Sequence, residues 1–295
     1  MPRALLWAIL ALGIALQPAA AAPVTVHDAF GRSVTVPAPP QRIVAIFASN
    51  VEMLAALGLA DRIVGIEAYT RYPPEVLGKP LVGGRLGFSV DEVVAQRPDL
   101  VVVTPSRQAA NQLIDPMERL GIPIVVLLQR NVEEILSNIR LLARLTGVAE
   151  RGEALVARLQ ARLDKVGQRV AGLKQPSVVM ITGRLGNGLL LVTRPGTYTG
   201  DAIVRAGGRL AFDGGIIAQV SPEAIFNSDP DMLLFAGNEK DMKELIGRPG
   251  WSDMRAVKTR RVHAVSRVEL LIPGPRTIDG IERLAAIFHP AAPSP

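Results

Sequence analysis

The sequence reads SVDEVVAQRPDLVVV at Ser89–Val103, and the same pattern returns as SPEAIFNSDPDMLLF at Ser221–Phe235. Each copy has a serine, an acid two residues later, an apolar pair, a Pro-Asp dipeptide and an apolar strand, at matching positions. The copies lie about 130 residues apart, whereas solenoid repeats have periods of about 20–50 residues. The pattern therefore predicts two similar lobes, and a cleft between two lobes is a usual binding place for small molecules.

Further apolar segments around the first copy predict a sheet. We predict strands at Arg42–Ile46, Ile63–Ile66, Leu100–Val103 and Ile124–Leu128, with helices at Met53–Leu57 and Met117–Leu120. Ser49 and Glu52 have the spacing of a capping box that opens the first of these helices. Nearly continuous apolar strands that alternate with helices are typical of a parallel α/β sheet covered on both faces.

A long amphipathic segment, Ala149–Leu173, separates the two copies. Its leucines and valines recur every three or four residues, so they form one apolar stripe along a helix. At about 1.5 Å per residue such a helix is about 37 Å long, which is the width of a domain. We therefore predict an α/β protein with two Rossmann-like lobes, each with a parallel sheet, joined by one long α-helix. The predicted boundaries are 23–146 for the N-terminal lobe, 147–175 for the connecting helix and 176–295 for the C-terminal lobe.

The first 22 residues have the pattern of an export signal. They contain Arg3, an apolar run from Leu5 to Leu16 and the small residues Ala19–Ala22, which fit a signal peptide with its cleavage site. The sequence has no cysteine, which excludes disulfides, thiolate metal ligands and the lipidated cysteine of a surface lipoprotein. We predict a protein that is exported to the periplasm, is not lipidated and diffuses freely there.

The composition does not indicate a nucleic-acid-binding protein. The formal net charge is +6, but the 33 basic residues are spread among 27 acids, with no basic run and only 4% aromatic residues. A nucleic-acid site would need a basic patch and, for single strands, aromatic side chains that stack on bases. We therefore expect an ordinary solvated basic surface.

The sequence also lacks a recognisable catalytic set. The three histidines, His27, His263 and His289, are not spaced as metal ligands or as part of a triad, and no nucleophile elbow or zinc-protease motif is present. The glycines of Gly183–Gly188 are followed by a predicted strand, Leu189–Val192, and therefore indicate a hairpin rather than a phosphate loop. We predict that the protein is not an enzyme. An enzyme on the same two-lobed scaffold is the alternative from another class, because a fold does not fix a function.

Candidate ligand contacts follow the second predicted strand. Tyr69 and Tyr72 lie in a short loop, and Pro73 forces Tyr72 out of helical geometry, so that its ring can project. Such a tyrosine can contact a ligand or supply a phenolate to iron, and the alternative is that it packs the loop onto the lobe. The glycines on either side of Arg85 let the backbone approach another group closely, and Arg85 can pair with an anion.

Several segments together resemble a known family, the periplasmic substrate-binding proteins of ABC importers for iron complexes, haem and cobalamin (class III, with a helical backbone). The resemblance covers about residues 24–290. In addition to the repeat and the long helix, it rests on Arg42–Val44, Tyr72–Pro74, Val82–Gly84, Ala206–Gly208 and Gly274–Arg276. It implies a monomer without an intrinsic cofactor that binds its cargo between the lobes with little hinge closure. It also implies an ABC permease dimer with its ATPase as the partner.

The resemblance assigns roles to three acids. Family members dock on the permease through one carboxylate on each lobe, and the matching positions here are Asp91 and Glu223. The first lobe departs from the family by having aspartate where glutamate is usual, which leaves Glu92 as a possible substitute. The alternative is that these acids only stabilise helix ends, since an acid in a first turn contributes about 0.3–1 kcal/mol against the helix dipole.

The resemblance does not identify one cargo. Cobalamin-binding members are similar around Tyr69–Pro74, and haem-binding members place an iron-ligating tyrosine before a proline, which matches Tyr72. Anionic siderophores would suit four arginines, namely Arg85, Arg184, Arg194 and Arg276. Because aromatic residues are scarce, a pocket that stacks on a corrin is less expected. We predict an iron chelate, either a siderophore or haem, with a corrinoid as the alternative.

Overall fold

A computed structural model describes residues 22–84, 87–104, 107–212 and 219–290. Within these ranges the chain forms two α/β lobes joined by a helix, and this confirms the predicted fold class. Among the described residues, no helix combines the length and the apolar character that crossing a lipid bilayer requires.

The first lobe is a hairpin followed by a sheet with alternating helices. Its strands are β1 (Val24–His27), β2 (Ser33–Val36), β3 (Ile43–Ala45), β4 (Ile63–Glu67), β5 (Leu81–Gly84), β6 (Gly87–Phe88), β7 (Leu100–Val103) and β8 (Ile124–Val126). Its helices are α1 (Ala48–Ala56), α2 (Val90–Ala95), α3 (Arg107–Arg119) and α4 (Val132–Leu145). The sheet has the order β6-β5-β4-β3-β7-β8, and its neighbours are parallel except for the antiparallel pair β5 and β6.

The connecting helix α5 (Ala149–Val170) leads into the second lobe. The strands of that lobe are β9 (Ser177–Arg184), β10 (Leu190–Val192), β11 (Arg209–Leu210), β12 (Gln219–Val220), β13 (Met232–Ala236) and β14 (Val262–Val265). Its helices are α6 (Tyr198–Arg205), α7 (Pro222–Ser228), α8 (Glu239–Ile246), α9 (Arg255–Lys258), α10 (Arg267–Leu270) and α11 (Thr277–Phe288). The sheet order is β12-β10-β9-β13-β14 with β11 beside β9, and the predicted hairpin is the antiparallel pair β9 and β10.

Helix α5 ends three residues before the predicted end of the amphipathic segment, and a second helix lies beside it. The sequence analysis did not identify that helix, α4, although Asn131 and Glu134 have capping-box spacing before an apolar stripe. In the structure the Asn131 side chain accepts a hydrogen bond of 2.8 Å from the backbone N–H of Glu134. The signal was therefore present in the sequence.

The repeated sequence forms the same local structure in both lobes. Ser89 caps α2 by accepting a hydrogen bond from the N–H of Glu92, and Ser221 caps α7 by accepting one from the N–H of Ala224. Each helix then leads into a strand that lies beside the first sheet strand of its lobe, β7 beside β3 and β13 beside β9. The repeat in the sequence is therefore a repeat in space.

The aspartate of each Pro-Asp dipeptide fastens that pair of strands. The Asp99 carboxylate accepts hydrogen bonds of 2.8 Å from the N–H groups of both Gln41 and Arg42, just before β3. The Asp231 carboxylate accepts one of 2.8 Å from the N–H of Ser177, at the start of β9. The recurrence of the Pro-Asp dipeptide in both copies of the repeat thus has a physical reason, because its aspartate aligns neighbouring strands at their amino-terminal ends.

One apolar core extends through both lobes by way of α5. The helix buries its stripe against α4 on one side and α11 on the other, through Leu155, Leu159, Leu163 and Val166. On its polar side, Arg162 forms ion pairs of 2.6 Å with Asp279 and Glu282 of α11. The outer face of each sheet has a separate core of its own. The two lobes are consequently both packed on the same rigid helix.

Candidate functional site

The first lobe contacts the second through residues that follow the carboxyl-terminal ends of its strands. Glu52, on the helix after β3, bonds to Arg276, and the N–H of Val132, after β8, donates a hydrogen bond of 2.8 Å to the carboxylate of Asp201. In open α/β sheets, ligands bind beyond the carboxyl ends of the strands. The cleft between the lobes is therefore the candidate site.

Glu52 and Arg276 form a buried ion pair between the lobes. One carboxylate oxygen of Glu52 accepts a hydrogen bond of 3.0 Å from the backbone N–H of Arg276, and the other accepts bonds of 3.0 Å from Nε and 2.8 Å from Nη2. Glu52 is only 2% exposed. Hydrogen bonds between an ionised arginine and a carboxylate are roughly twice as strong as bonds between neutral groups. The pair therefore joins the two lobes.

Arg276 also stacks on Tyr72. Its guanidinium carbon lies 3.9 Å from the centre of the tyrosine ring, a distance at which a cation is attracted to the face of an aromatic ring. Tyr72 is nevertheless 41% exposed and Tyr69 is 54% exposed, so both phenols remain accessible to a ligand. The structure thus brings together two of the predicted ligand residues, Tyr72 and Arg276, but the charge of Arg276 is balanced by Glu52.

The other predicted arginines differ in their surroundings. Arg184 is paired with Glu244, with 3.1 Å between Nη1 and the carboxylate. Arg194 is half-buried and lines a cavity of about 280 Å³ on the second-lobe side of the cleft, together with Thr193. The hydroxyl of Thr193 is buried and has no hydrogen-bond partner among the described residues. Arg85 lies outside the described residues.

A larger groove lies beside this cavity. It has a volume of about 870 Å³, begins at Thr197, which also lines the cavity, and extends along α6 to Arg209 at the start of β11. Its two acids are already paired within the protein, Glu134 with Arg130 and Asp201 with Arg205. The groove is lined by residues of both lobes, and it extends from Thr197 towards the amino-terminal end of β11.

Arg267 supports the cleft in a way that the sequence analysis missed. Its Nη1 donates hydrogen bonds of 2.9 Å to the carbonyl of Thr182 and 3.0 Å to the carbonyl of Ala236. These carbonyls lie at the carboxyl-terminal ends of β9 and β13. Nothing in the residues around Arg267 indicates this role, because its partners lie on two other segments of the chain.

Three polar side chains form a hydrogen-bonded network that joins the ends of three strands in the first lobe. Gln129, after β8, and Thr104, after β7, lie within hydrogen-bond distance of each other and of the Asn50 side-chain oxygen, at 3.2–3.4 Å. The Asn50 amide in turn donates a hydrogen bond of 2.6 Å to the carbonyl of Ile46, after β3. Satisfied networks of this kind make a buried region rigid.

The predicted capping box at the start of α1 is wrong. The helix begins at Ala48 with Phe47 as its N-cap residue, and Ser49 is inside the helix and buried. Glu52, which the pattern assigned to the helix end, instead reaches across to Arg276. A partner on the other lobe thus displaced the local capping interaction.

Phe47 has a strained backbone. Its φ of 76° lies in the region that residues with a side chain rarely adopt, at a cost of about 1–3 kcal/mol. The next peptide N–H, that of Ala48, donates a hydrogen bond of 3.1 Å to the carboxylate of Glu67 at the end of β4. Glu67 is 7% exposed, and burial raises the pKa of its carboxyl, whereas the bond from Ala48 lowers it.

The Phe47 ring is paired with another aromatic ring. Its centre lies 5.8 Å from that of Phe88, with the ring planes inclined at 55°. A side chain on Gly83 would overlap the Phe88 ring, so the close approach that this glycine permits is made by Phe88. Both phenylalanines remain partly exposed. The sequence analysis singled out this glycine but did not identify the Phe88 ring, which requires a residue without a side chain at position 83.

Of the three predicted docking acids, Asp91 and Glu223 lie at equivalent places on the two lobes, and Glu92 lies beside Asp91. Asp91 and Glu92 are exposed in the first turn of α2, and Glu223 is exposed in the first turn of α7. A hydrogen bond from the Ser221 hydroxyl lowers the pKa of Glu223. Their docking role stays a prediction, since the same positions also suit acids that stabilise the ends of helices.

The described residues contain no cluster of three or more histidine, cysteine, aspartate or glutamate side chains that could hold a metal ion. His27 is in β1, His263 is in β14 and His289 follows α11, where its Nε2 lies 3.1 Å from the carbonyl oxygen of Gly207. The three histidines thus belong to separate parts of the fold.

Comparisons with known proteins agree on one family. A family model described as periplasmic binding protein matches residues 43–266. An ABC transporter substrate-binding lipoprotein of Bacillus subtilis is 28% identical, over 91% of this chain and 86% of its own length. A vitamin B12-binding protein of Vibrio cholerae is 24% identical, over 84% of this chain and 89% of its own. The solved structure of a periplasmic heme-binding protein from Pseudomonas aeruginosa is 27% identical, with a TM-score of 0.75, and the match covers 86% of this chain and 94% of that one.

We predict that Glu52→Ala destabilises the protein by about 3 kcal/mol, because it leaves the Arg276 guanidinium without its buried partner. The double variant Glu52→Leu with Arg276→Met should recover much of this loss, since it removes both charges. Urea unfolding of each variant measures the effect. Glu153→Ala is the matched control, because its ion pair with Arg140 is exposed and should contribute less than about 1 kcal/mol. Equal losses for Glu52→Ala and Glu153→Ala would contradict the role of Glu52 as a fastening.

We also predict a pH-dependent effect of Glu67→Gln. Because the pKa of Glu67 is raised in the folded protein, its contribution to stability is complete below its unfolded pKa of about 4.3 and is lost as pH rises through the folded pKa. Glutamine keeps the acceptor for the Ala48 N–H but does not ionise. The free energy of unfolding of Glu67→Gln, relative to wild type, should therefore rise between about pH 4 and pH 7. Glu75→Gln, at an exposed position, controls for the loss of one charge; an equal rise in that variant would contradict the prediction.

Proposed function

We propose that this chain, which belongs to the periplasmic binding protein family, captures one molecule of a metal complex between its lobes and delivers it to an ABC importer. The observation that carries the proposal is the cleft itself, into which the carboxyl-terminal ends of the parallel strands of both sheets lead. The shared helix α5 and the Glu52–Arg276 pair fasten the two walls of this cleft to each other. Such a cleft suits capture and release.

The proposed activity is binding without chemical conversion. A catalytic site needs an acid, a base or a nucleophile held within hydrogen-bond reach of a reacting group. The polar groups around the cleft instead bond to one another: Glu52 to Arg276, Glu67 to the backbone of Ala48, and Asn50 to its neighbours. The similarity to transporter proteins supports the same conclusion.

We propose a corrinoid as the cargo. The sequence-based expectation of an anionic siderophore depended on four arginines, but Arg184 and Arg276 are paired with carboxylates in the protein, which weakens their attraction for an anion. A corrinoid presents amide groups and a broad apolar ring, and it needs fewer free cations. The similarity to a vitamin B12-binding protein along most of both chains supports this assignment.

An iron chelate, in particular haem, is the second candidate. Tyr72 favours it, because an exposed phenol beside a cleft can supply an oxygen ligand to ferric iron. The similarity to a periplasmic heme-binding protein supports this candidate too. Tyr72 is thus the proposed metal ligand only if the cargo is haem.

We propose that the protein acts in the periplasm and that its partner is an ABC permease dimer with its ATPase. Asp91 and Glu223, with Glu92 beside Asp91, are the proposed contacts, because they lie on corresponding helices of lobes that α5 holds in place. The B. subtilis relative is called a lipoprotein, whereas the sequence printed here has no cysteine. We propose that this chain acts without a lipid anchor and, separately, that it acts as a monomer.

We predict that the purified protein binds one cargo molecule per chain. Titration calorimetry with cyanocobalamin, haemin and a ferric siderophore should show one saturable site for a single class of cargo. Under the corrinoid proposal cyanocobalamin binds most tightly, and Tyr72→Phe changes its affinity little, because only the phenol oxygen is lost. Tight binding of haemin with a charge-transfer absorption that disappears in Tyr72→Phe would establish the second candidate instead. Conversion of any of these molecules by the protein would contradict the binding function.

We predict that reversing both docking charges stops import without weakening cargo binding. Asp91→Lys with Glu223→Lys should abolish uptake of labelled cargo by cells or by proteoliposomes, because charged rim contacts set encounter rate and orientation. Cargo affinity in solution should stay within about twofold, since both residues are exposed on the outside of the lobes.

The matched control is Glu133→Lys with Glu239→Lys. These acids are also exposed in the first turns of helices, one in each lobe, so the variant has the same charge change and a similar cost at helix ends. Uptake should persist in this control. Loss of uptake in both double variants, or normal uptake in the first, would show that Asp91 and Glu223 are only helix-end acids.

A further inference from the structure

We propose that Glu67 positions Phe47, and that Phe47 and Phe88 together form the surface on which a flat ring of the cargo lies. This inference rests on the proposed function, because it concerns the same cleft. It adds a class of cargo group, a planar π system, and a buried residue that acts through its neighbour.

The strand order places these residues together at the cleft. In the first sheet β4 lies between β3 and β5, so the ends of these strands are adjacent. Phe47 follows β3 and Glu67 ends β4, while Phe88 pairs with Gly83 near the end of β5. The helix that begins directly after Phe47 reaches the second lobe through Glu52. The aromatic pair therefore lies at the carboxyl-terminal edge of the first sheet, where both rings also pack against the core on the outer face of that sheet.

Glu67 is an unusual residue for its position. A buried carboxyl is unfavourable unless a hydrogen bond compensates for lost water, and an apolar side chain would fill the same space at less cost. The hydrogen bond that Glu67 accepts comes from the N–H of Ala48. That N–H belongs to the peptide group between Phe47 and Ala48. The hydrogen bond therefore restrains the peptide group that follows Phe47, the residue with the strained φ. Glu67 thus restrains the backbone from which the Phe47 ring projects.

The two rings leave part of their surface uncovered. They contact each other at 5.8 Å between centres, and the Phe88 ring lies against the bare backbone of Gly83. Tyr69 and Tyr72, after the neighbouring strand β4, add exposed aromatic surface at the same edge of the sheet. A patch of this kind suits the face of a corrin, a porphyrin or a benzimidazole base, since aromatic rings pair face to face with an offset or edge to face. An aliphatic chelate gains little from it.

The first test compares cargo classes. Phe47→Leu and Phe88→Leu keep an apolar side chain and remove the π face. For cyanocobalamin or haemin, whichever wild type binds more tightly, each variant should weaken binding about 3- to 10-fold by calorimetry. Ferrioxamine B, an aliphatic ferric hydroxamate, serves as the probe without a ring, and any affinity it has should change less than about twofold.

The second test isolates the positioning role. Glu67→Gln keeps the acceptor for the Ala48 N–H and should retain wild-type affinity, whereas Glu67→Leu removes the acceptor and should weaken binding of the ring-bearing probe as much as Phe47→Leu does. The double variant Phe47→Leu with Glu67→Leu should be no weaker than either single variant, because without the ring there is nothing to position. Melting temperatures of all variants separate these effects from unfolding.

The outcomes distinguish this inference from the proposed function. If wild type binds a ring-bearing probe and neither Phe47→Leu nor Phe88→Leu changes its affinity, the inference is overturned. The proposed function is then not affected. Additive losses in the double variant, or equal losses in Glu67→Gln and Glu67→Leu, overturn the positioning role. Binding of ferrioxamine B alone shows that the cargo has no flat ring and overturns the inference. If none of the probes binds, the proposed function fails together with it.

Discussion

The packing of both lobes on one helix is the constraint from which the rest of the structure follows. The stripe of α5 belongs to a core that includes residues of β3, α4, β9 and α11, so neither lobe can rotate without separating apolar surfaces that are out of water. Burial of such surface contributes about 25 cal/mol per Å². At the cleft itself the lobes are also joined by specific polar contacts, namely the ion pair of Glu52 with Arg276 and the hydrogen bond from the N–H of Val132 to Asp201.

With the walls fixed, polar side chains can be used to hold the edges of the cleft. The network around Asn50, the carboxyl of Glu67 and the guanidinium of Arg267 all bond to backbone groups at strand ends. Asn50 and Glu67 are buried and Arg267 is exposed, and each of these bonds restrains the backbone group that it contacts. The positive φ of Phe47 shows the same balance, since local strain is retained where the surrounding bonds determine the conformation.

The sequence was sufficient to predict the fold because the patterns that indicate the fold are local. The repeat, the apolar strands and the stripe of α5 are patterns within short windows, and they correctly give two lobes and a connecting helix. The site was less predictable because its interactions are distant. Glu52 resembles a helix cap in its own neighbourhood, and only folding brings it to Arg276, 224 residues later. Composition misled as well: just 4% of the residues are aromatic, yet Phe47, Tyr72 and Phe88 are gathered at one edge of one sheet.

The contact between Gly83 and Phe88 has a consequence for how related chains can diverge. A side chain at position 83 is incompatible with a ring at position 88, whereas a small residue at position 88 is compatible with glycine at position 83. Substitutions must therefore occur in one order, with the ring lost before the glycine. In an evolutionary tree of relatives, the two positions should covary, and no ancestor should combine a large residue at 83 with an aromatic one at 88. The residue at position 83 of each relative should therefore indicate whether an aromatic residue is compatible with position 88.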